Sequence, residues 1–233
     1  MAEQPKIEVI EHGPYIVSGH VPLSIEVITP NKEGGSWEWK QAKVFNDQER
    51  YKLCRCGHSK TKPFCDGTHN DIGFDGTETA SNAPYAQQAE TTDGPTLVLK
   101  DAKSFCSVAR FCENFGTAWE LVTHSDVRKQ RELVIHEVVR CPSGRLVLRD
   151  KKTGKPVEPD INPSIGVVED PARQRSGPLW VRGGIPVESA VGKTYERRNR
   201  VTLCRCGASE NKPFCDGRHL KSKFNDGLLE PEA

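Results

Sequence analysis

The chain has 233 residues, 35% of them hydrophobic, and a mean hydropathy of -0.61, which is lean for one extensive core; small units held by something besides apolar burial are expected. A formal charge of +1, from 33 basic against 32 acidic side chains, supplies no global field for a polyanion, so neither nucleic acid nor a membrane surface is expected as a partner. No apolar run approaches the roughly 20 residues that span a bilayer.

The start, Met1-Ala2-Glu3-Gln4-Pro5-Lys6, lacks the apolar core and basic flank of a signal peptide, and a cytoplasmic protein is the expectation. In such a reducing setting nine cysteines, an odd number, read as metal or redox residues rather than disulfides. Tyr15-Ile16-Val17, set between Gly13-Pro14 and Gly19, predicts a short strand. The polar, glycine-rich stretch from Asn31 to Trp37 predicts a hairpin or loop extension. In Cys54-Arg55-Cys56 the one-residue spacing puts two thiolates close together on a tight loop, and the chain has room to come round a metal group before Cys65 and His69. Asp66-Gly67 predicts a turn or short helix, opened by the Asp side chain, that turns His69 toward the same centre as Cys65.

Pro84 and Pro95 bracket a polar tract suited to a linker. Beyond it, Phe105, Val108, Ala109 and Cys112 recur at helical spacing, and Val127, Val134, Val138 and Cys141 do so on a second expected helix ending at Pro142. Cys106, Cys112 and Cys141 therefore have two readings, as small buried residues on those apolar faces or as ligands. Asp160 to Pro178, rich in Pro, Gly and charge, is expected to be a connector.

The chain then repeats itself. Gly177-Pro178-Leu179-Trp180-Val181 lines up with Gly13-Pro14-Tyr15-Ile16-Val17, Leu203-Cys204-Arg205-Cys206-Gly207 with Leu53 to Gly57, and Lys212-Pro213-Phe214-Cys215-Asp216-Gly217 with Lys62 to Gly67. His219 takes the place of His69. The first unit is longer between these landmarks by 14 residues, in the stretch around Asn31 to Trp37. Three thiolates and one imidazole also satisfy tetrahedral zinc, but Cys-x-Cys followed by eight residues and Cys-x3-His is an unusual zinc spacing. The spacing alone leaves both metals open, with iron-sulfur favoured.

Cys-x-Cys-x2-Ser-x3-Pro-x-Cys-Asp-Gly-x-His, from Cys54 to His69 and again from Cys204 to His219, closely resembles the CDGSH iron-sulfur domain family. The match includes Ser59 and Ser209, and Pro63 and Pro213; Thr68 and Arg218 replace the family's second Ser at a non-ligand position. The resemblance implies a [2Fe-2S] cluster at each motif, held by Cys54, Cys56, Cys65 and His69 and by Cys204, Cys206, Cys215 and His219. Cys54 and Cys56, or Cys204 and Cys206, would hold the inner iron. Cys65 and His69, or Cys215 and His219, would hold the outer, more exposed one. Family members with one motif dimerise, which implies a monomer with an internal pseudo-dimer, or a homodimer.

Cys106-x5-Cys112 and, after a helix, Cys141-Pro142-Ser143-Gly144 are similar to the pattern of single-cluster bacterial ferredoxins, with Ala109 where a further cysteine would stand. Three cysteines can hold a [3Fe-4S] cluster, or a [4Fe-4S] cluster with a non-cysteine ligand, and this third cluster at Cys106, Cys112 and Cys141 stands beside the structural reading. The expected fold class is α+β: residues 8–75 as a first small β-rich unit, 76–94 as linker, 95–165 as a ferredoxin-like insert and 172–226 as the second unit.

His12, His20, His58, His124 and His136 fall outside the ligand pattern and read as surface or hydrogen-bonding residues. Arg197-Arg198-Asn199-Arg200 and Lys151-Lys152 read as solvated loop charge, whereas Arg55 and Arg205, between the paired cysteines, read as candidates for tuning an anionic cluster. No phosphate loop, nucleophile elbow or His-Glu-x2-His is present, so no enzyme activity is expected. The expected function is electron transfer, or cluster transfer and redox sensing, with a redox partner protein or cluster acceptor. A zinc-stapled interaction protein and an accessory electron-transfer subunit of an oxidoreductase are the alternatives.

Overall fold

The computed structural model of the chain describes residues 4–228. The leader reading at the start rests partly on Met1 to Glu3, outside the described residues. Short β-favouring runs bounded by Gly and Pro form most of the elements, and the protein is β-rich with few helices. The first unit contains β1 (Lys6–Val9), β2 (Tyr15–Ser18), β3 (Leu23–Pro30), β4 (Ser36–Val44), β5 (Arg50–Leu53) and the single turn α1 (Thr68–Asp71). The expected extension is the β3-β4 hairpin, whose turn is closed by Asn31 N and Gly35 O at 2.8 Å.

The expected linker, 76–94, holds the short α2 (Tyr85–Gln88) and β6 (Glu90–Asp93), a strand of the middle segment, which goes on with β7 (Leu97–Asp101), α3 (Ala118–Thr123), α4 (Arg128–Val139), β8 (Leu146–Asp150) and β9 (Pro156–Val157). Its four strands make one sheet in the order β6-β7-β8-β9. Alternation in β7 and β8 buries Leu97, Leu99, Leu146 and Leu148, and these meet Leu121, Val122, Val134 and Val138 from the two helices. The second expected helix forms with Val134 and Val138 buried, but it ends at Val139, with Val127 exposed ahead of it and Cys141 beyond it. The first expected helix does not form: Lys103–Phe105 and Phe111–Glu113 are 3-10 turns, and Val108 and Arg110 between them have φ of 54° and 62°. The apolar side chains there leave in different directions rather than along one face.

The stretch from Asp160 to Pro178, expected to be a connector ahead of a second unit at 172–226, instead holds β10 (Ser164–Asp170) and the start of β11 (Arg175–Arg182), and the second unit goes on with β12 (Val187–Glu188), β13 (Arg200–Leu203) and α5 (Arg218–Lys221). Two sheets, in the orders β12-β1-β2-β5 and β13-β11-β10-β3-β4, interleave the units. Each takes a parallel strand from the other: β12 pairs with β1 through Ile7 and Val187, and β3 pairs with β10 through Leu23 and Ile165. The core between them draws on both units, with Tyr15, Val17 and Leu53 beside Ile165, Val181 and Leu203. The added hairpin has a task of its own. Trp37 stacks on His136 of α4 with ring centroids 3.7 Å apart, Trp39 Nε1 donates to Arg140 O, and Arg140 pairs with Glu38, so β4 docks the middle segment. Among the described residues no helix is long and apolar enough to cross a membrane.

Candidate metal centres

Each Cys-x-Cys loop leaves the end of a strand, β5 or β13, and is fixed by the same main-chain bonds. Cys54 N donates to Pro63 O and Cys65 N to Lys52 O; Cys204 N donates to Pro213 O and Cys215 N to Thr202 O. The non-cysteine motif residues hold the rest of the loop. Ser59 and Ser209 donate to the carbonyls of Phe64 and Phe214 at 2.6 and 2.7 Å. Asp66 accepts from Lys60 N and Thr68 N, and Asp216 from Glu210 N and Arg218 N, which opens the turn carrying each histidine.

The donors come as pairs. Cys54 and Cys56 Sγ lie 3.8 Å apart, as do Cys204 and Cys206 Sγ, while Cys65 Sγ faces His69 Nδ1 at 3.4 Å and Cys215 Sγ faces His219 Nδ1 at 3.5 Å. Two thiolates on one tetrahedral metal at about 2.3 Å lie about 3.8 Å apart, and a thiolate and an imidazole nitrogen on one metal about 3.6 Å apart. Each pair thus has the separation of ligands sharing one metal. Among the described residues no three His, Cys, Asp or Glu converge on a single ion. The residues fit a group with two metal positions per site, and the nitrogen that faces it is Nδ1.

One thiol of each Cys-x-Cys pair is prepared for anionic ligation. Cys54 and Cys204 are held below the ordinary thiol range, first by the hydrogen bond from the neighbouring cysteine, with the N-H groups of Gly57 and Ser59 or of Gly207 and Ser209 assisting. Cys56 and Cys206 are correspondingly raised, so each metal-free pair retains a proton. Burial raises Cys65 and Cys215. Burial also lowers His219 to about 4, which keeps its imidazole neutral and able to ligate.

The two sites meet at Cys56 and Cys206, which form an antiparallel bridge. Gly57 and Gly207 have φ of 82° and 79°, and a Cβ on either would stand 2.6 or 2.5 Å from the other unit's cysteine carbonyl. Glycine is required there by both backbone conformation and space. Arg55 and Arg205, between the paired cysteines, are buried staples. Arg55 donates to Ile10 O and Gly76 O; Arg205 donates to Gly177 O and Val168 O and pairs with Glu169 and Asp226. The charge of Arg205 is compensated, a pairing the sequence did not signal.

Cys106 and Cys141 lie near enough to Cys112 to act on its thiol, although among the described residues no three potential donors are grouped to hold one metal ion. Arg145 Nη1 donates to Cys106 Sγ at 3.0 Å, and Cys141 Sγ lies 3.4 Å from Ser143 Oγ. Burial raises the Cys112 thiol to about 12, and the nearby Cys141 and Cys106 add to the rise. The intervening loop is strained at Val108, a β-branched residue in the left-handed region, and it buries Ser107 Oγ without a partner. Arg198 and Arg200, expected to be solvated, instead brace this site: Arg198 donates to Ser143 O and Gly144 O, and Arg200 to Cys141 O. The other histidines stand apart from the donor pairs: His12 accepts from Gly76 N, His20 meets Asp47, and His58 is exposed.

Residues 12–70 and 176–220 match the family described as iron-binding zinc finger CDGSH type, and residues 92–151 match the family described as divergent 4Fe-4S mono-cluster. No curated protein and no solved structure matches the chain.

Proposed function

From the premise that this chain is an iron-sulfur protein, carrying two CDGSH-type iron-binding segments on either side of a divergent 4Fe-4S segment, we propose that it holds two [2Fe-2S] clusters and works in electron transfer or cluster transfer. Cys54, Cys56, Cys65 and His69 ligate the first; Cys204, Cys206, Cys215 and His219 ligate the second. The observation that carries this reading is the pairing of donors, each pair spaced for one metal, which suits a dinuclear group better than a mononuclear zinc. When bound, such clusters supply one-electron redox chemistry, and replacing one thiolate of a four-cysteine site by imidazole raises the potential.

The rest of the reading follows from the same residues. The reciprocal strands β12 and β3 support an internal pseudo-dimer within one chain. The match of residues 92–151 to a divergent 4Fe-4S mono-cluster family supports a third cluster in the middle segment, with Cys106, Cys112 and Cys141 as its ligands. Catalysis by this chain alone is not proposed; a redox partner protein or a cluster acceptor completes the activity. The test is iron, zinc and acid-labile sulfide content with EPR on anaerobically purified protein. About four iron per chain is the expectation for two [2Fe-2S] clusters, and about seven or eight adds the third. Zinc without acid-labile sulfide would overturn the reading.

A further inference from the structure

The two sites differ in what covers the Cys-His pair. At the first, Cys65 and His69 are half-buried and a Cβ on Gly67 would meet nothing within 4 Å. At the second, Cys215 is 2% exposed and His219 5%. The cover comes from the middle segment: a Cβ on Gly217 would stand 2.3 Å from Val108 Cγ2 and 3.2 Å from Cys106 O. The cover is fastened on both sides of that contact. Asn211 Nδ2 donates to Ser104 O at 2.8 Å, Phe105 packs edge-on against Phe214 with centroids 5.1 Å apart, and Arg110 pairs with Asp170 at 2.6 Å. The linker from the first unit grips the same loop, with Thr79 N and Ala80 N donating to Lys212 O. In the first unit the residue equivalent to Phe214, Phe64, packs edge-on against Phe45 of its own unit.

We propose that the Cys106–Arg110 loop is a fixed lid on the outer donor pair of the second site, so that metal exchange with an external chelator or acceptor protein proceeds at Cys65 and His69, while the second site faces the middle segment. This rests on the proposed ligand sets but not on the identity of the metal. A loop held by a side-chain hydrogen bond, an aromatic pair and a buried ion pair opens far less often than an uncovered edge. The left-handed Val108 is the residue that touches Gly217, so strain in the loop is placed where the contact is made. The lid also sets an order: middle segment, second site, then, across the Cys56-Cys206 bridge, the first site and solvent.

The test incubates the full chain, as purified, with excess EDTA and follows iron and zinc released over time. Two phases are expected from the paired sites, the fast one absent in His69→Ala and the slow one absent in His219→Ala. Val108→Gly and Asn211→Ala, changed separately so that one survives if the other fails to fold, are each expected to speed the slow phase about tenfold and leave the fast phase alone. Release from both sites at one rate, a fast phase that persists in His69→Ala, or a slow phase unmoved by either lid variant would overturn the proposal. Two phases of zinc release would instead sustain the lid and defeat the iron-sulfur reading.

Discussion

The hydroxyl of Tyr15, on β2 of the first unit, donates to the carbonyl of Cys204 in the second at 2.8 Å, with Pro213 O a further 3.0 Å acceptor. Tyr15 is fully buried, and its repeat equivalent is Leu179, so the bond runs in one direction only. Tyr15→Phe keeps the ring and removes the donor, leaving a buried carbonyl short of a partner. A loss of about 1 to 2 kcal/mol in denaturant unfolding is expected, together with weaker metal retention at Cys204 and its partners than at Cys54. Equal retention at the two sites in this variant would show that the bond serves the fold alone.

The arginines between the paired cysteines are predicted to part company. Arg205 is 3% exposed and compensated by Glu169 and Asp226; Arg205→Met strands two buried carboxylates, and a loss of about 3 to 5 kcal/mol is expected in the same unfolding measurement. Arg55 has no acidic partner among the described residues and lies against the Tyr15 and Phe74 rings. Its positive charge is free to favour the reduced, more negative state of a neighbouring cluster. Arg55→Gln is expected to lower the potential of the first site in a spectroscopic redox titration while the second stays put. An unchanged first-site potential would remove Arg55 as a tuning residue.

The pairing of the candidate donors was legible because the chain states it twice: identical spacing and identical scaffold residues, Ser59 with Ser209 and Asp66 with Asp216, point to one geometry. The exchange of β3 and β12 between units was not legible, because a parallel pairing between distant segments leaves no periodic mark on either. The loop from Cys106 to Arg110 misled in an instructive way. Phe105, Val108, Ala109 and Cys112 fall at helical spacing, yet Phe105 goes to Phe214, Val108 to Gly217, Ala109 to the cluster of Phe111 and Trp180, and Cys112 to the core of the middle segment, separate partners that no single helix face reaches. Arg198 and Arg200 look like solvated charge until their acceptors are known: main-chain carbonyls at the end of α4 and in the Cys141 loop, which carry no residue signature, and for Arg200 also the carboxylate of Glu158, 42 residues away in the chain.

Glu137 on α4 gives the middle segment a pH dependence. Its carboxylate is buried, with Oε1 accepting from Asn114 N and Phe115 N and Oε2 without a partner, and burial raises its pKa from 4.5 to about 7. The folded state therefore binds the proton more tightly than the unfolded chain. The stabilisation is fully present below pH 4.5 and is lost as pH rises through 7. Relative to Glu137→Gln, the parent protein is expected to lose at most about 3 kcal/mol between about pH 5 and about pH 8, measured by urea unfolding. Parallel curves for the two proteins would mean that Glu137 is solvated or paired in the folded state.

Imidazole ligation makes a separate prediction about acid. A histidine must present Nδ1 without a proton to bind metal, so protonation competes with ligation. His69 and His219 both present Nδ1 to their cysteine partners, and on the proposed ligand sets this competition falls at the outer metal of each site. Loss of visible absorbance on mild acidification is expected to slow when both residues are changed to Cys, with the cluster retained. Because His219 is buried and His69 is not, His69→Cys alone is expected to slow the earlier part of the decay, and His219→Cys the later part. Decay at the same rate in all three variants and the parent would place the acid-sensitive step at the thiolate pairs instead, and would leave the histidines with no part in it.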